Sequence, residues 1–142
     1  MSNREKGEEF ARAVGEYLQL QGFDVEAEYT VEVGLNSKQK KAHRFDFGSN
    51  SLIVECKSYE WTEGGHNPSA KISTLNEAMM YFHSAPSTYR KMVFVSLTGT
   101  KGVRNPETFA EYYWRLHGHF VPDDVEFYEF DADNMQAKRV NA

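Results

Sequence analysis

Arg44-Phe45-Asp46-Phe47-Gly48-Ser49-Asn50-Ser51-Leu52-Ile53-Val54-Glu55-Cys56-Lys57 is the stretch on which the reading of this chain turns. Apolar and polar residues alternate on both sides of Gly48-Ser49-Asn50-Ser51, the pattern of two half-buried strands joined by a tight turn. Setting Phe47 opposite Leu52 puts Asp46 opposite Ile53 and Arg44 opposite Glu55. Successive strand side chains point to opposite faces, so this register gathers Phe45, Phe47, Leu52, Val54 and Cys56 on one apolar side. Arg44, Asp46, Ile53, Glu55 and Lys57 share the other. Asp46 and Glu55 become diagonal neighbours, roughly 7 to 8 Å apart before side-chain reach is counted, and two carboxylates so placed can share one cation. A slip of one residue would set them back to back, so the hydrophobic pattern selects the cation-competent register.

Before the hairpin, residues 3–21 have helical periodicity, with Phe10, Ala13, Val14, Tyr17 and Leu18 on one stripe and Gly22 as the stop. Residues 23–33 read as a first strand, with Val25, Ala27, Tyr29, Val31 and Val33 in phase. After the hairpin comes a polar segment, 58–67, with Tyr59, Trp61 and Gly64-Gly65, which reads as a loop whose aromatics would stack on bases or pack on the domain. Asn67-Pro68 then cap a helix through Ile72, Leu75, Met79 and Phe82 to Ser84. Residues 91–97 are nearly all apolar, a central strand covered on both faces and parallel to the hairpin's second strand through the helical crossover. Asn105-Pro106 should open a third helix through Phe109, Tyr112, Tyr113 and Leu116, closed by Gly118. A last strand is expected at 125–130, with fraying from Asp131 onward. The order predicts an α/β protein with a mixed central sheet flanked by helices, in a single domain spanning 1–142.

Composition narrows the classes of function. The chain has 142 residues, 40% hydrophobic and 14% aromatic, enough for one buried core and unlike a disordered chain. One cysteine excludes an internal disulfide, and no apolar run reaches the length of a signal core or membrane span, so a cytoplasmic location without membrane contact is expected. A net charge of −5 argues against an indiscriminate nucleic-acid coat and requires any polyanion contact to be local. The most cationic run, Lys38-Gln39-Lys40-Lys41-Ala42-His43-Arg44, leads into the hairpin, and Lys38, Lys40, Lys41 and Arg44 are candidate phosphate contacts against the plain reading of a solvated loop. The pair His117 and His119 lacks clustered partners for a zinc site, and Cys56 reads as a small buried hydrophobe. No phosphate-cradling glycine and lysine loop is present, which speaks against an ATPase.

Asp46 followed by Glu55-Cys56-Lys57 at the end of the next strand resembles the motif of the PD-(D/E)XK nuclease superfamily, with Phe45 where that family usually has proline. The resemblance implies a restriction-endonuclease-like αβββαβ core. It also implies a metal-dependent nuclease hydrolysing phosphodiester bonds of DNA: Asp46, Glu55 and the Cys56 carbonyl would hold Mg2+ or Mn2+, and Lys57 would assist the attacking water. Gly7-Glu8-Glu9-Phe10 is similar to the family's first-helix opening, which makes Glu9 the candidate for a third carboxylate beside the plain reading of a helix N-terminal acid. By the same resemblance Lys71 and Ser73, on the helix after the Glu-x-Lys strand, are secondary phosphate contacts, and a small nuclease of this kind would act as a homodimer to cut both strands. The rival readings are a non-catalytic nucleic-acid-binding or protein-binding module that keeps the fold, and a small toxin-like or host-interaction protein whose hairpin acids are surface charges.

Overall fold

The computed structural model describes residues 1–60, 69–99 and 106–142. Trp61, Gly64-Gly65, the Asn67-Pro68 cap and Asn105 lie outside them. Among the described residues one six-stranded mixed sheet in the order β1 to β6 is sandwiched between helices. The elements are α1 (Asn3–Leu20), β1 (Glu26–Val33), β2 (Lys41–Gly48), β3 (Leu52–Lys57), α2 (Ser69–Ser84), β4 (Arg90–Ser96), α3 (Phe109–His117), β5 (Val125–Asp131) and β6 (Gln136–Arg139). β1, β2 and β3 form an antiparallel meander, β3, β4 and β5 are parallel, and β6 returns antiparallel to β5.

The period of two in the strands assigns each side of the sheet its helices. Ile53, Val93, Val95, Val125 and Phe127 point to one face, where Leu75, Ala78, Met79 and Phe82 of α2 and Phe109, Ala110 and Tyr113 of α3 cover them. Leu52, Val54, Met92, Phe94 and Phe130 point to the other, where Phe10, Val14 and Leu18 of α1 close the second core. β4 is buried on both faces, as its unbroken apolar run requires. Its one charged core residue, Lys91, reaches out to Asp124 at 2.7 Å, so the ammonium is paired where the stem is buried. α1 begins with a capping box between Ser2 and Glu5.

The hairpin register differs from the sequence-based expectation. Gly48 pairs with Ile53 and Phe47 with Val54, and Ser49 N–H donates to the Leu52 carbonyl at 2.8 Å, so Asn50-Ser51 alone make the turn. Gly48, expected in the turn, belongs to the ladder because the Tyr29 ring lies over it, and a Cβ there would stand 2.6 Å from the ring. The shift preserves parity in β3 but brings Asp46 opposite Glu55 in place of Ile53. A second difference follows in β2: Phe47 packs with the α1 core, its ring against Gly15, whereas Phe45 belongs to the α2 core. Two residues of equal parity reach opposite faces because the ribbon rolls between them. The β1 to β2 ladder omits the step at Glu28 and Asp46, and Glu28 has φ 57°.

The remaining corrections are at element ends. α3 is capped by Thr108 with Glu111 in a capping box, not by Asn105-Pro106, and it begins at Phe109. The segment after Asp131 is not frayed: the Asp131 carboxylate accepts from the N–H groups of Asp133 and Asn134, Met135 takes φ 52°, and the chain returns as β6. Asn141 then ties the end down, accepting from Phe127 N–H and donating to the Val125 carbonyl. His117 stacks between Tyr113 and Phe120 and thereby extends an aromatic series at the end of α3.

Candidate metal and nuclease site

Past Phe47 and Val54 the strands β2 and β3 part, and two carboxylates take over the ladder. Asp46 N–H donates to Glu55 Oε1 at 3.2 Å, and Cys56 N–H donates to Asp46 Oδ2 at 2.7 Å. Each acid thus uses one oxygen to brace the backbone of the opposite strand. Among the described residues the second oxygen of each accepts no hydrogen bond, although Glu55 Oε2 faces the Lys57 ammonium at 3.9 Å; a charge-assisted bond of the bracing kind is stronger and shorter than a neutral one. The ribbon roll at Glu28 and Asp46 is what turns the Asp46 side chain into the gap between the strands.

Glu55 follows Ile53 toward the α2 face and is almost fully buried, its side chain 7% exposed. Two basic groups stand near it: Lys57 Nζ at 3.9 Å from Oε2, and His43 Nε2 at 3.8 Å from Oε1. The His43 ring is clamped, stacked on Tyr81 of α2 at 3.7 Å and edge-on to Phe45 at 4.6 Å. Burial, and then the facing Glu55 charge, push the Asp46 carboxyl up from 3.8 to about 6 against the lowering effect of Cys56 N–H, Lys57 and His43. A strained anionic pair of this sort is relieved by a cation. Burial also raises the Cys56 thiol well above its ordinary value, as do the two acids, so this cysteine is an inert neighbour whose backbone matters more than its sulfur.

The structure brings together Asp46, Glu55, Cys56 and Lys57 from the expected set, and adds His43, which sequence reasoning counted only as part of a cationic run. Its signal was parity: His43 and Phe45 share a strand face, so the imidazole belonged with the aromatics. Glu9 is exposed on α1, on the sheet face opposite to the one Glu55 follows, and among the described residues no hydrogen bond or ion pair ties it to the acids. Lys71, expected to be exposed, is half-buried, and its ammonium donates to the Glu60 carbonyl. It lines a cleft of about 290 Å3 with Lys6, Ser58, Tyr59, Glu60 and Thr74, immediately beyond Lys57 in the chain. Ser73 is exposed on the same helical turn.

The basic turn folds toward the other end of α2. Gly34 N–H donates to the Ser84 carbonyl, Lys40 Nζ to the Gly34 carbonyl, and Lys41 Nζ approaches the Tyr81 hydroxyl at 3.4 Å. Lys38 and Arg44 are exposed. The candidate phosphate contacts therefore form two groups, at opposite ends of α2, with the acid pair between β2 and β3. Tyr59 packs inward against Phe109 at 4.9 Å and bonds the Thr74 hydroxyl at 2.6 Å, so its ring is half-buried against the core while it lines the cleft. A wider groove of about 890 Å3 runs along Phe23, the 49–51 turn and Arg90 but contains none of the candidate catalytic residues.

The donor set fits a hard divalent cation: two carboxylates, each with one oxygen that accepts no hydrogen bond among the described residues. Among the described residues no three His, Cys, Asp or Glu side chains already converge on one metal-sized point. Among the same residues no helix is long and apolar enough to cross a membrane. Fold and site together define an α/β protein with a carboxylate pair, Glu55 buried and Asp46 half-buried, braced across a parted hairpin. Comparisons of the chain with protein-family models, with curated proteins and with solved structures found no match.

Proposed function

We propose that the protein is a divalent-cation-dependent nuclease that hydrolyses phosphodiester bonds of DNA, with Asp46 and Glu55 as cation ligands and Lys57 as the charge that meets the phosphate. The reciprocal bracing of Asp46 and Glu55 across the parted strands carries this reading, because it spends one oxygen of each acid on position and leaves the other for a cation. The order α1, β1, β2, β3, α2, β4, with β3 and β4 parallel, supports a restriction-endonuclease-like core. A bound cation would supply charge neutralisation at the phosphate and acidify a water.

The chain's own groups do the rest. Lys57, its side chain 27% exposed, stands on the open side of Glu55 and keeps one positive charge where phosphate charge would develop. Burial of Glu55 and the clamped His43 ring exclude bulk water from the inner side, which strengthens every charge interaction there. Hydrolysis adds water across a P–O bond, with the leaving oxygen taking its proton from solvent. The basic turn, and Lys6 with Lys71, would hold flanking phosphates, so that an acidic chain binds a polyanion locally. The DNA preference and a homodimeric cut of both strands rest on the family resemblance.

The test is cleavage of linear and supercoiled DNA by purified protein with Mg2+ or Mn2+, repeated in EDTA. Asp46→Ala and Glu55→Ala should each abolish cleavage while circular dichroism stays that of the wild type. Undiminished cleavage by both variants, or none by the wild type with any divalent ion, would remove the assignment.

A further inference from the structure

We propose that the imidazole of His43 is a third ligand of the cation held by Asp46 and Glu55, which makes the site a mixed nitrogen and oxygen site selective for a first-row transition ion over Mg2+. This rests on the cation reading of the acid pair and goes beyond it, since Asp46, Glu55 and a backbone carbonyl alone are an oxygen site suited to Mg2+.

The observation is an orphan. His43 Nε2 is buried and has no hydrogen-bond partner. Buried ring nitrogens are paired in the great majority of cases, because an unpaired one forfeits its solvation with nothing in return. The ring does not turn its nitrogen to solvent, since Tyr81 on one side and Phe45 at the edge hold it in place. The nitrogen faces Glu55 Oε1 across 3.8 Å. That gap is too long for a hydrogen bond, which closes to about 2.7 to 3.2 Å. It does leave room for an ion between the ring and the Glu55 carboxylate: with bonds of about 2.1 Å, two donors to one ion stand between about 3.0 Å apart when at right angles and about 4.2 Å when opposite.

A purely structural ring fits the same facts less well. An aromatic filler between Tyr81 and Phe45 needs no buried nitrogen, and an ion pair with Glu55 at 3.8 Å leaves Nε2 without a hydrogen bond. Glu55 Oε1, the oxygen that His43 faces, also accepts from Asp46 N–H, so the three residues meet around one carboxylate. An imidazole donor favours transition ions, and Mg2+ gains little from nitrogen.

The test uses the full-length protein and two probes. Pulsed EPR of bound Mn2+ should show a coupling to one directly attached nitrogen, altered when the protein carries 15N-labelled histidine and lost in His43→Gln, but kept when His83, His117 or His119 is changed to Gln. Calorimetry should show Co2+ affinity falling about tenfold or more in His43→Gln while Mg2+ affinity changes little. If Mn2+ binds in an Asp46-dependent way and the unsubstituted protein shows no nitrogen coupling, the His43 assignment is wrong and the acid pair stands. The nitrogen coupling is read on the unsubstituted protein, and the Asp46 dependence on Asp46→Asn, whose folding its circular dichroism reports. If neither Mn2+ nor Co2+ binds at all, the cation reading fails and this one with it.

Discussion

Replacing Asp46 by Asn should make the protein more stable in the absence of cation and useless with it. In the folded chain the Asp46 carboxyl is raised from 3.8 to about 6, first by burial and then by Glu55. Two pKa units correspond to about 3 kcal/mol, of which about 2 to 3 remains after allowing for partial exposure and for coupling to Glu55. The sign follows from proton binding: between pH 4 and 6 the folded state holds the Asp46 proton more tightly than the unfolded state. Its contribution therefore turns unfavourable as pH rises through that window and is fully unfavourable above it. Asn carries no charge, keeps an oxygen to accept from Cys56 N–H, and offers an amide donor toward Glu55. In EDTA at pH 8 the melting temperature of Asp46→Asn should exceed that of the wild type by roughly 5 to 10 °C, at roughly 2 to 4 °C per kcal/mol for a chain near this size. At pH 3 the gap should nearly vanish, because the wild-type carboxyl is then protonated in the folded and in most of the unfolded chains. Saturating Mn2+ should raise the wild-type melting temperature and leave the variant unmoved. Thermal unfolding by circular dichroism at both pH values, with and without Mn2+, reads all four quantities. A variant no more stable than the wild type at pH 8, or a gap equal at both pH values, would refute the claim that the site stores electrostatic strain for a cation.

Three further outcomes are expected. Lys57→Ala should lower single-turnover cleavage by about 100-fold or more while cation affinity holds or rises, since a repelling charge has gone; near-normal turnover with a lowered melting temperature would make Lys57 only the salt-bridge partner of Glu55. Neutralising Lys38, Lys40 or Lys41 should weaken binding to all DNA sequences alike and reduce the salt slope by about one unit per lost phosphate contact, which filter binding at several salt concentrations would show. Phe94→Ala, removing a ring that meets Tyr17, Tyr128 and Phe130 in the α1 core, should cost about 3 to 5 kcal/mol in urea unfolding, and a cost under about 1 kcal/mol would mean that this core is loosely packed.

Much of the molecule was legible before any coordinates. The stripe of Phe10, Val14 and Leu18, that of Leu75, Met79 and Phe82, and the unbroken run of β4 each state a period or a burial that only one kind of element satisfies. The candidate acids were legible too, because Asp46 and Glu55 stand in strands whose parity is written in their neighbours. Parity is all that a period of two conveys, however. Moving Leu52 in place of Val54 opposite Phe47 leaves every face of β3 unchanged, so the sequence pattern could not distinguish the two registers. The ring of Tyr29 over Gly48, a contact with a third strand, decided it and set Asp46 against Glu55. The roll between Phe45 and Phe47 was invisible for a related reason: it depends on the positive φ of Glu28 in the neighbouring strand. β6 and the Thr108 cap rest on side chains of Asp131, Asn141 and Glu111 meeting particular backbone groups, chemistry too local for hydrophobic periodicity to report. His43 shows the limit most clearly. Its place beside Glu55 comes from α2 crossing the sheet so that Tyr81 stacks on the ring, and a contact between residues 38 positions apart belongs to the packing of two elements and is carried by neither of them alone.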